Sequence, residues 1–130
     1  MKNNFIKKTQ KGEDLGRRMS NAFDDVLSRH EKVIIVGSDC PEISPKIIND
    51  AFEFLDKSDL VIGPTYDGGY YLLGIKKRHP FLFSGISWGS ETVFSQTLQK
   101  AETHQLHHKL LVKLNDVDYA GDWEDHGWDL

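Results

Sequence analysis

Residues 33–41, Val-Ile-Ile-Val-Gly-Ser-Asp-Cys-Pro, constrain what this chain folds into more than any other stretch. Val33, Ile34, Ile35 and Val36 are all β-branched and carry no polar alternation, the pattern of a strand buried on both faces. Such a strand belongs inside a sheet with helices on each side, which is where parallel sheets are found. The run stops at Gly37, and Asp39 stands just beyond it, where an ionised carboxylate stays hydrated. Open α/β sheets bind ligands outside the carboxyl ends of their strands. Asp39 therefore reads either as a group that meets a cation or a phosphate-bearing ligand, or as a loop aspartate that caps a turn.

The flanking sequence supplies the helices. Leu15, Met19, Ala22, Phe23, Val26 and Leu27 recur at the spacing of one helix face. After Pro41, Ser44 is placed as an N-cap with Pro45 at the first helical position, followed by a stripe of Ile47, Ile48, Ala51, Phe52 and Leu55. Leu60, Val61 and Ile62 make a second strand ended by Gly63 and Pro64, so strand, helix and strand follow in the order of a parallel crossover unit. Tyr70 to Ile75 forms another strand. Ser90 caps a helix bearing Val93, Phe94, Leu98 and Ala101, and Leu110 to Leu114 is a last strand. The expected architecture is an α/β sandwich with a mostly parallel sheet.

One domain suffices for 130 residues that are 38% hydrophobic, a length that buries roughly two-thirds of the unfolded surface. The single cysteine, Cys40, excludes an internal disulfide and a multi-cysteine metal site. With no basic, apolar leader at its start the chain reads as cytoplasmic. No apolar run approaches the ~20 residues of a membrane span, and a net charge of −4 offers no general attraction for nucleic acid. The charge is uneven: residues 115–130 hold six acids and no Lys or Arg, while the first 18 hold six Lys or Arg against two acids. Residues 1–12 read as a basic solvated tail, and residues 13–130 as the domain.

Three loops rich in Asp, Gly or Pro follow apolar runs, at 37–41, 63–74 and 115–123. Parallel strands would gather all three on one edge. Mg²⁺ and Mn²⁺ take oxygen ligands, commonly one or two carboxylates plus water and substrate phosphate, and Asp39 with Asp116 or Asp118 supplies that set. In an extended segment Asp116 and Asp118 point to one side; as an ordinary acidic turn they would need no ion. Asp67, Gly68 and Gly69 mark either a close backbone approach to a ligand or a hairpin turn. Tyr66, Tyr70 and Tyr71 around them offer rings that stack on a base or sugar, or serve as sheet residues. Trp88 lies in a Gly-rich loop, where it lines an acceptor pocket or packs in the core. Cys40 lacks a neighbouring base, and His104, His107 and His108 lack the acid or cysteine that would complete a zinc set.

Together GSDCPEISP, GPTYDGGYYLLG, FSGISWGSETV and NDVDYAGDW, with the upstream QKGEDLGRRMSNAF, resemble an uncharacterised glycosyltransferase-like family (the DUF2064 type) of the nucleotide-diphospho-sugar transferase superfamily, linked by name to arsenosugar biosynthesis. The resemblance runs from about Gln10 to Asp122. It implies a GT-A-like, Rossmann-like three-layer sandwich that binds a nucleotide-activated sugar or a nucleotide through Mg²⁺ or Mn²⁺. Asp39 would be the metal-binding aspartate, with Asp116 or Asp118 as second carboxylate. Gly37, Ser38, Asp67, Gly68, Gly69, Tyr70 and Trp88 would fall on the substrate side, and Glu91 would be an acceptor's general base. The family's first strand and its Gly- and Lys-containing loop fall before Met1, so the fold is expected truncated, with an unprotected sheet edge. Three readings follow: a metal-dependent glycosyltransferase-like domain, a nucleotidyltransferase of the cofactor-building type, or a non-catalytic remnant that forms a homodimer through the open edge.

Overall fold

The computed structural model describes residues 2–6, 13–37, 43–114 and 123–127, with side chains over 15–37 and 43–114. Six strands and three helices follow in the order β1 (Lys2–Ile6), α1 (Glu13–Leu27), β2 (Val33–Gly37), α2 (Pro45–Leu55), β3 (Leu60–Pro64), β4 (Tyr70–Ile75), α3 (Val93–Thr103), β5 (His108–Leu110) and β6 (Trp123–Gly127), with a 3₁₀ turn at Pro80–Phe83 before α3. The strands form one sheet in the order β1-β6-β2-β4-β3-β5.

Local chemistry explains the elements. Ser44, in extended conformation, accepts the Ile47 N–H at 3.3 Å and Pro45 occupies the first turn, so α2 starts where its cap and proline place it. Ala51, Phe52 and Leu55 then turn the apolar stripe inward. Thr92 rather than Ser90 stands at the N-cap of α3. Ser90 instead stabilises the preceding turn, donating to the Ser87 carbonyl at 2.6 Å and accepting the Thr92 N–H at 3.2 Å.

Every residue of β2, β3 and β4 is buried, so helices cover both faces at the centre of the sheet, as the unbroken β-branched run predicts. Leu55 of α2 meets Ile34 and Val61 at Gly74, where a side chain would have no room. Met19 of α1 meets Tyr70 of β4, its sulfur 4.0 Å from the phenol oxygen.

The sheet is mixed, not mostly parallel. β1, β2, β3 and β5 run one way; β4 and β6 run the other. β3–β5 is the one parallel pairing between strands among the described residues. The cause lies in residues 65–69: a connection that short joins only antiparallel strands, so β4 folds back and enters between β3 and β2. The crossover from β2 through α2 to β3 does keep its strands in the same direction, but spans an inserted neighbour. Gly63 pairs with Leu72 and Pro64 with Tyr70, which leaves Tyr71 as an extra residue on β4. This bulge lays the Tyr71 ring against Gly63, where an added Cβ would lie 2.7 Å from its ring carbons.

Within the basic amino-terminal segment Lys2–Ile6 form strand β1. On the side of β2 away from β4, β2 pairs with β6 and β6 with β1, so β1 and β5 are the outer strands of the sheet. Among the described residues no helix is long and apolar enough to cross a membrane.

Candidate functional site

Strand direction brings the expected loops to one edge. Gly37 ends β2 and pairs with Trp123, the first residue of β6, and Ile6 at the end of β1 pairs with Trp123 as well. Two strands away β3 ends at Pro64. There Leu114 donates its N–H to the Pro64 carbonyl at 3.1 Å and accepts the Tyr66 N–H at 3.1 Å, a bridge parallel to Thr65. The described residues on either side of residues 38–42 and 115–122 thus leave the sheet at its carboxyl edge. Ser38, Asp39, Asp116 and Asp118 lie outside the described residues. Among the described residues no three His, Cys, Asp or Glu side chains gather into a group able to hold a metal ion.

The turn at 65–69 closes the same edge. Thr65 donates its N–H to the Gly69 carbonyl at 3.0 Å, and Gly68 donates to Thr65 at 3.3 Å. Asp67 Oδ1 accepts the Thr65 hydroxyl and the Gly69 N–H, the latter at 3.2 Å. Asp-Gly-Gly forms the turn between β3 and β4, with Asp67 as its internal acceptor. Gly68 supplies the positive φ of 96°. It also lies so close to the backbone of Glu91 that an added Cβ would sit 2.6 Å from the Glu91 carbonyl carbon. The Gly68 carbonyl accepts the Phe94 N–H at 2.9 Å, which fixes the start of α3 to this turn. Sequence reasoning overlooked Thr65, whose hydroxyl also accepts the Gly69 N–H at 3.2 Å; a hydroxyl residue two places before Asp-Gly-Gly was the available signal.

The aromatic residues divide. Tyr70 is fully buried and stands edge-on to Trp88, centroids 6.5 Å apart, so its ring is core and not a stacking platform. Trp88 is partly buried and packs on the core, with its indole nitrogen 2.8 Å from where a Cβ on Gly16 of α1 would stand. Its ring packs on the core on one side and is partly exposed on the other. Tyr66 is exposed beside Lys113, whose ammonium lies 5.5 Å above the ring. Glu91 is exposed on the turn before α3, its backbone against Gly68. The structure therefore brings Gly37, Asp67, Gly68, Gly69 and Glu91 to one end of the molecule and withdraws Tyr70 into the core. His104 stacks on Phe81, centroids 3.6 Å apart, with Nδ1 3.0 Å from the Lys100 carbonyl. His107 uses its backbone N–H on Asp59.

The fold is a mixed α/β sheet with a glycine-rich turn at its carboxyl edge, and comparison makes the family plain. The pattern of the family described as "Uncharacterized protein conserved in bacteria (DUF2064)" matches residues 1–90, and the chain belongs to that family. A crystal structure from Desulfovibrio desulfuricans G20, provisionally described as a nucleotide-diphospho-sugar transferase, superposes with a TM-score of 0.77 at 38% identity, over 84% of this chain and 48% of that one. The 2-phospho-L-lactate guanylyltransferase of Methanocaldococcus fervens is 28% identical over 135 residues, 98% of this chain and 57% of the relative. The chain spans about half the length of the proteins it matches.

Proposed function

We propose that this chain is a transferase domain acting on a nucleotide-activated sugar, with Mg²⁺ or Mn²⁺ held by Asp39 and by Asp116 or Asp118. The observation that carries the reading is the convergence of Gly37, Leu114 and Trp123 on the carboxyl edge. Leu114 lies beside β3 and Trp123 beside β2, on the far side of β4. Leu114 and Trp123, which flank the acidic residues 115–122, lie at the edge where Gly37 ends β2. A cation there would offset diphosphate charge as the leaving group departs. Gly69 would let the donor approach backbone, and exposed Glu91 would serve as the acceptor's base. The likeness to the Desulfovibrio structure supports sugar-nucleotide chemistry.

The likeness to the Methanocaldococcus fervens guanylyltransferase supports a second reading, nucleotidyl transfer, which from a nucleoside triphosphate would release pyrophosphate. A thermal-shift panel separates the two. Ligand at one hundred times its dissociation constant adds about 2.7 kcal/mol, or roughly 10 °C in a domain of this size. Stabilisation by sugar nucleotides only with Mn²⁺, lost in Asp39→Ala and in the Asp116→Ala/Asp118→Ala double variant, is the expected result. A response to triphosphates alone, with pyrophosphate formed, transfers the assignment to the second reading. Shifts that persist without metal or in the aspartate variants overturn the site itself.

A further inference from the structure

Helix α3 carries a polar stripe that the carboxyl edge does not use. Gln96, Gln99, Lys100 and Thr103 stand at i, i+3, i+4 and i+7, which places them on one face of the helix. With Gly85 and His104 they line a cleft of about 330 Å³ between α3 and the segment after the 3₁₀ turn, a volume at the lower end of small-molecule sites. Lys100 lies about 9 Å along the helix axis from Phe94, where α3 is fastened to the turn at the carboxyl edge. The walls are fixed from both sides. Gln96 accepts the Ser87 N–H at 2.8 Å and donates to the Ser87 hydroxyl at 3.3 Å, which ties that segment to the helix. His104, stacked on Phe81, has Nδ1 3.0 Å from the Lys100 carbonyl. A carbonyl only accepts, so Nδ1 carries the proton and Nε2 is left as an acceptor.

Charge and donor type select the occupant. No Asp or Glu lines the cleft, and Glu102 sits about 200° around the helix from Lys100. Lys100 is partly buried and forms no ion pair among the described residues. A lysine that served only the helix dipole would lie against the last-turn carbonyls. Here the Lys100 carbonyl takes the His104 N–H at 3.1 Å, while the ammonium lies over the loop, 3.5 Å from where a Cβ on Gly85 would stand. The Gly85 N–H also has no partner among the described residues. We propose that this cleft binds a phosphorylated polyol of the sugar-phosphate type. The phosphate meets the Lys100 ammonium, and Gln99, Thr103 and His104 Nε2 donate to or accept from the hydroxyl groups. A bare anion would leave those neutral groups unused.

The test titrates the ¹⁵N-labelled full chain with glucose 6-phosphate in the presence of EDTA, so that nothing depends on a metal at the carboxyl edge. Saturable amide shifts centred on Gly85 and residues 96–104 are expected. The dissociation constant should rise at least fivefold in Lys100→Met, which keeps the apolar stem, and in Gln99→Ala/Thr103→Ala. Both are surface changes whose folding is checked by circular dichroism melts. Glucose and inorganic phosphate should each bind at least fivefold more weakly than the ester. The proposal is overturned by shifts that do not saturate, by a dissociation constant unchanged in Lys100→Met, or by shifts centred instead on Gly68 and Glu91. It is equally overturned by inorganic phosphate binding as tightly as the ester, which would leave an anion site only. Stabilisation by nucleotides with Mn²⁺ is a separate measurement, so this cleft and the transferase reading stand or fall independently.

Discussion

Gly68→Ala is expected to destabilise the protein by about 3 kcal/mol, through two separable causes. Gly68 has φ of 96°, a region costing a side-chain-bearing residue about 1–2 kcal/mol. The new methyl carbon would also stand 2.6 Å from the Glu91 carbonyl carbon and 2.8 Å from its Cα. Those are backbone atoms just ahead of α3, and they can retreat only by straining the Gly68–Phe94 hydrogen bond of 2.9 Å. Overpacking of that kind costs roughly 1–3 kcal/mol. The stiffer unfolded chain returns about 0.4–1 kcal/mol. Gly89 is the internal control: its φ is 83°, yet nothing lies within 4 Å of an added Cβ, so Gly89→Ala carries the dihedral cost alone. Urea unfolding of both variants should show Gly68→Ala the less stable by about 2 kcal/mol, a midpoint lower by roughly 1 M at an m-value of about 2 kcal/mol/M. Equal losses at the two positions would refute the contact between the turn and residue 91, and with it the fastening of α3 to the carboxyl edge.

Asp67→Ala should cost about 1–2 kcal/mol in the same assay, because the Thr65 hydroxyl and the Gly69 N–H lose their shared acceptor; Asp67→Asn, which keeps Oδ1, should restore most of it, and equal losses would contradict the turn. Tyr71→Phe removes the hydroxyl that donates to the Val112 carbonyl at 2.8 Å, so a loss of about 1 kcal/mol and faster hydrogen exchange at the Leu114 amide are expected; unchanged exchange would count against this anchor. Burial chiefly, with Lys77 and His104 adding and Asp59 opposing, holds the His79 imidazole below its usual range, and its Nε2 is buried without a partner. The unfolded chain therefore takes up the proton first: stability is full above about pH 6.5 and falls as pH drops through the lower folded value. His79→Gln should flatten the fall in urea midpoint between pH 7.5 and 5, and an undiminished slope would exclude His79 as its source.

How much was legible depended on whether the signal was local. Ser44 and Pro45 announced the start of α2 because a cap acts within one turn, and the β-branched run announced a fully buried β2. The Asp-Gly-Gly turn was legible too, as one of two readings, but its consequence was not. Folding β4 back between β2 and β3 turns a sheet expected to be mostly parallel into a mixed one. Tyr70 shows the limit at the site. An aromatic beside a glycine-rich turn suits a ligand or a core equally, and the residue that decides, Met19, is distant in sequence. Trp88 likewise meets a residue distant in sequence, Gly16.

By itself the sequence determined which segments become strands β2 to β4 and helices α1 to α3, which of their faces are apolar, and which family the loops resemble. Those properties follow from side-chain spacing, caps and turn residues that act over a few positions. Only the tertiary structure decided the strand order, the pairing of β6 with β2, and the close approach of Gly68 to residue 91. Each of these depends on hydrogen-bond ladders or packing between residues far apart in the chain, and no local pattern encodes which of several compatible partners a strand or a ring will meet.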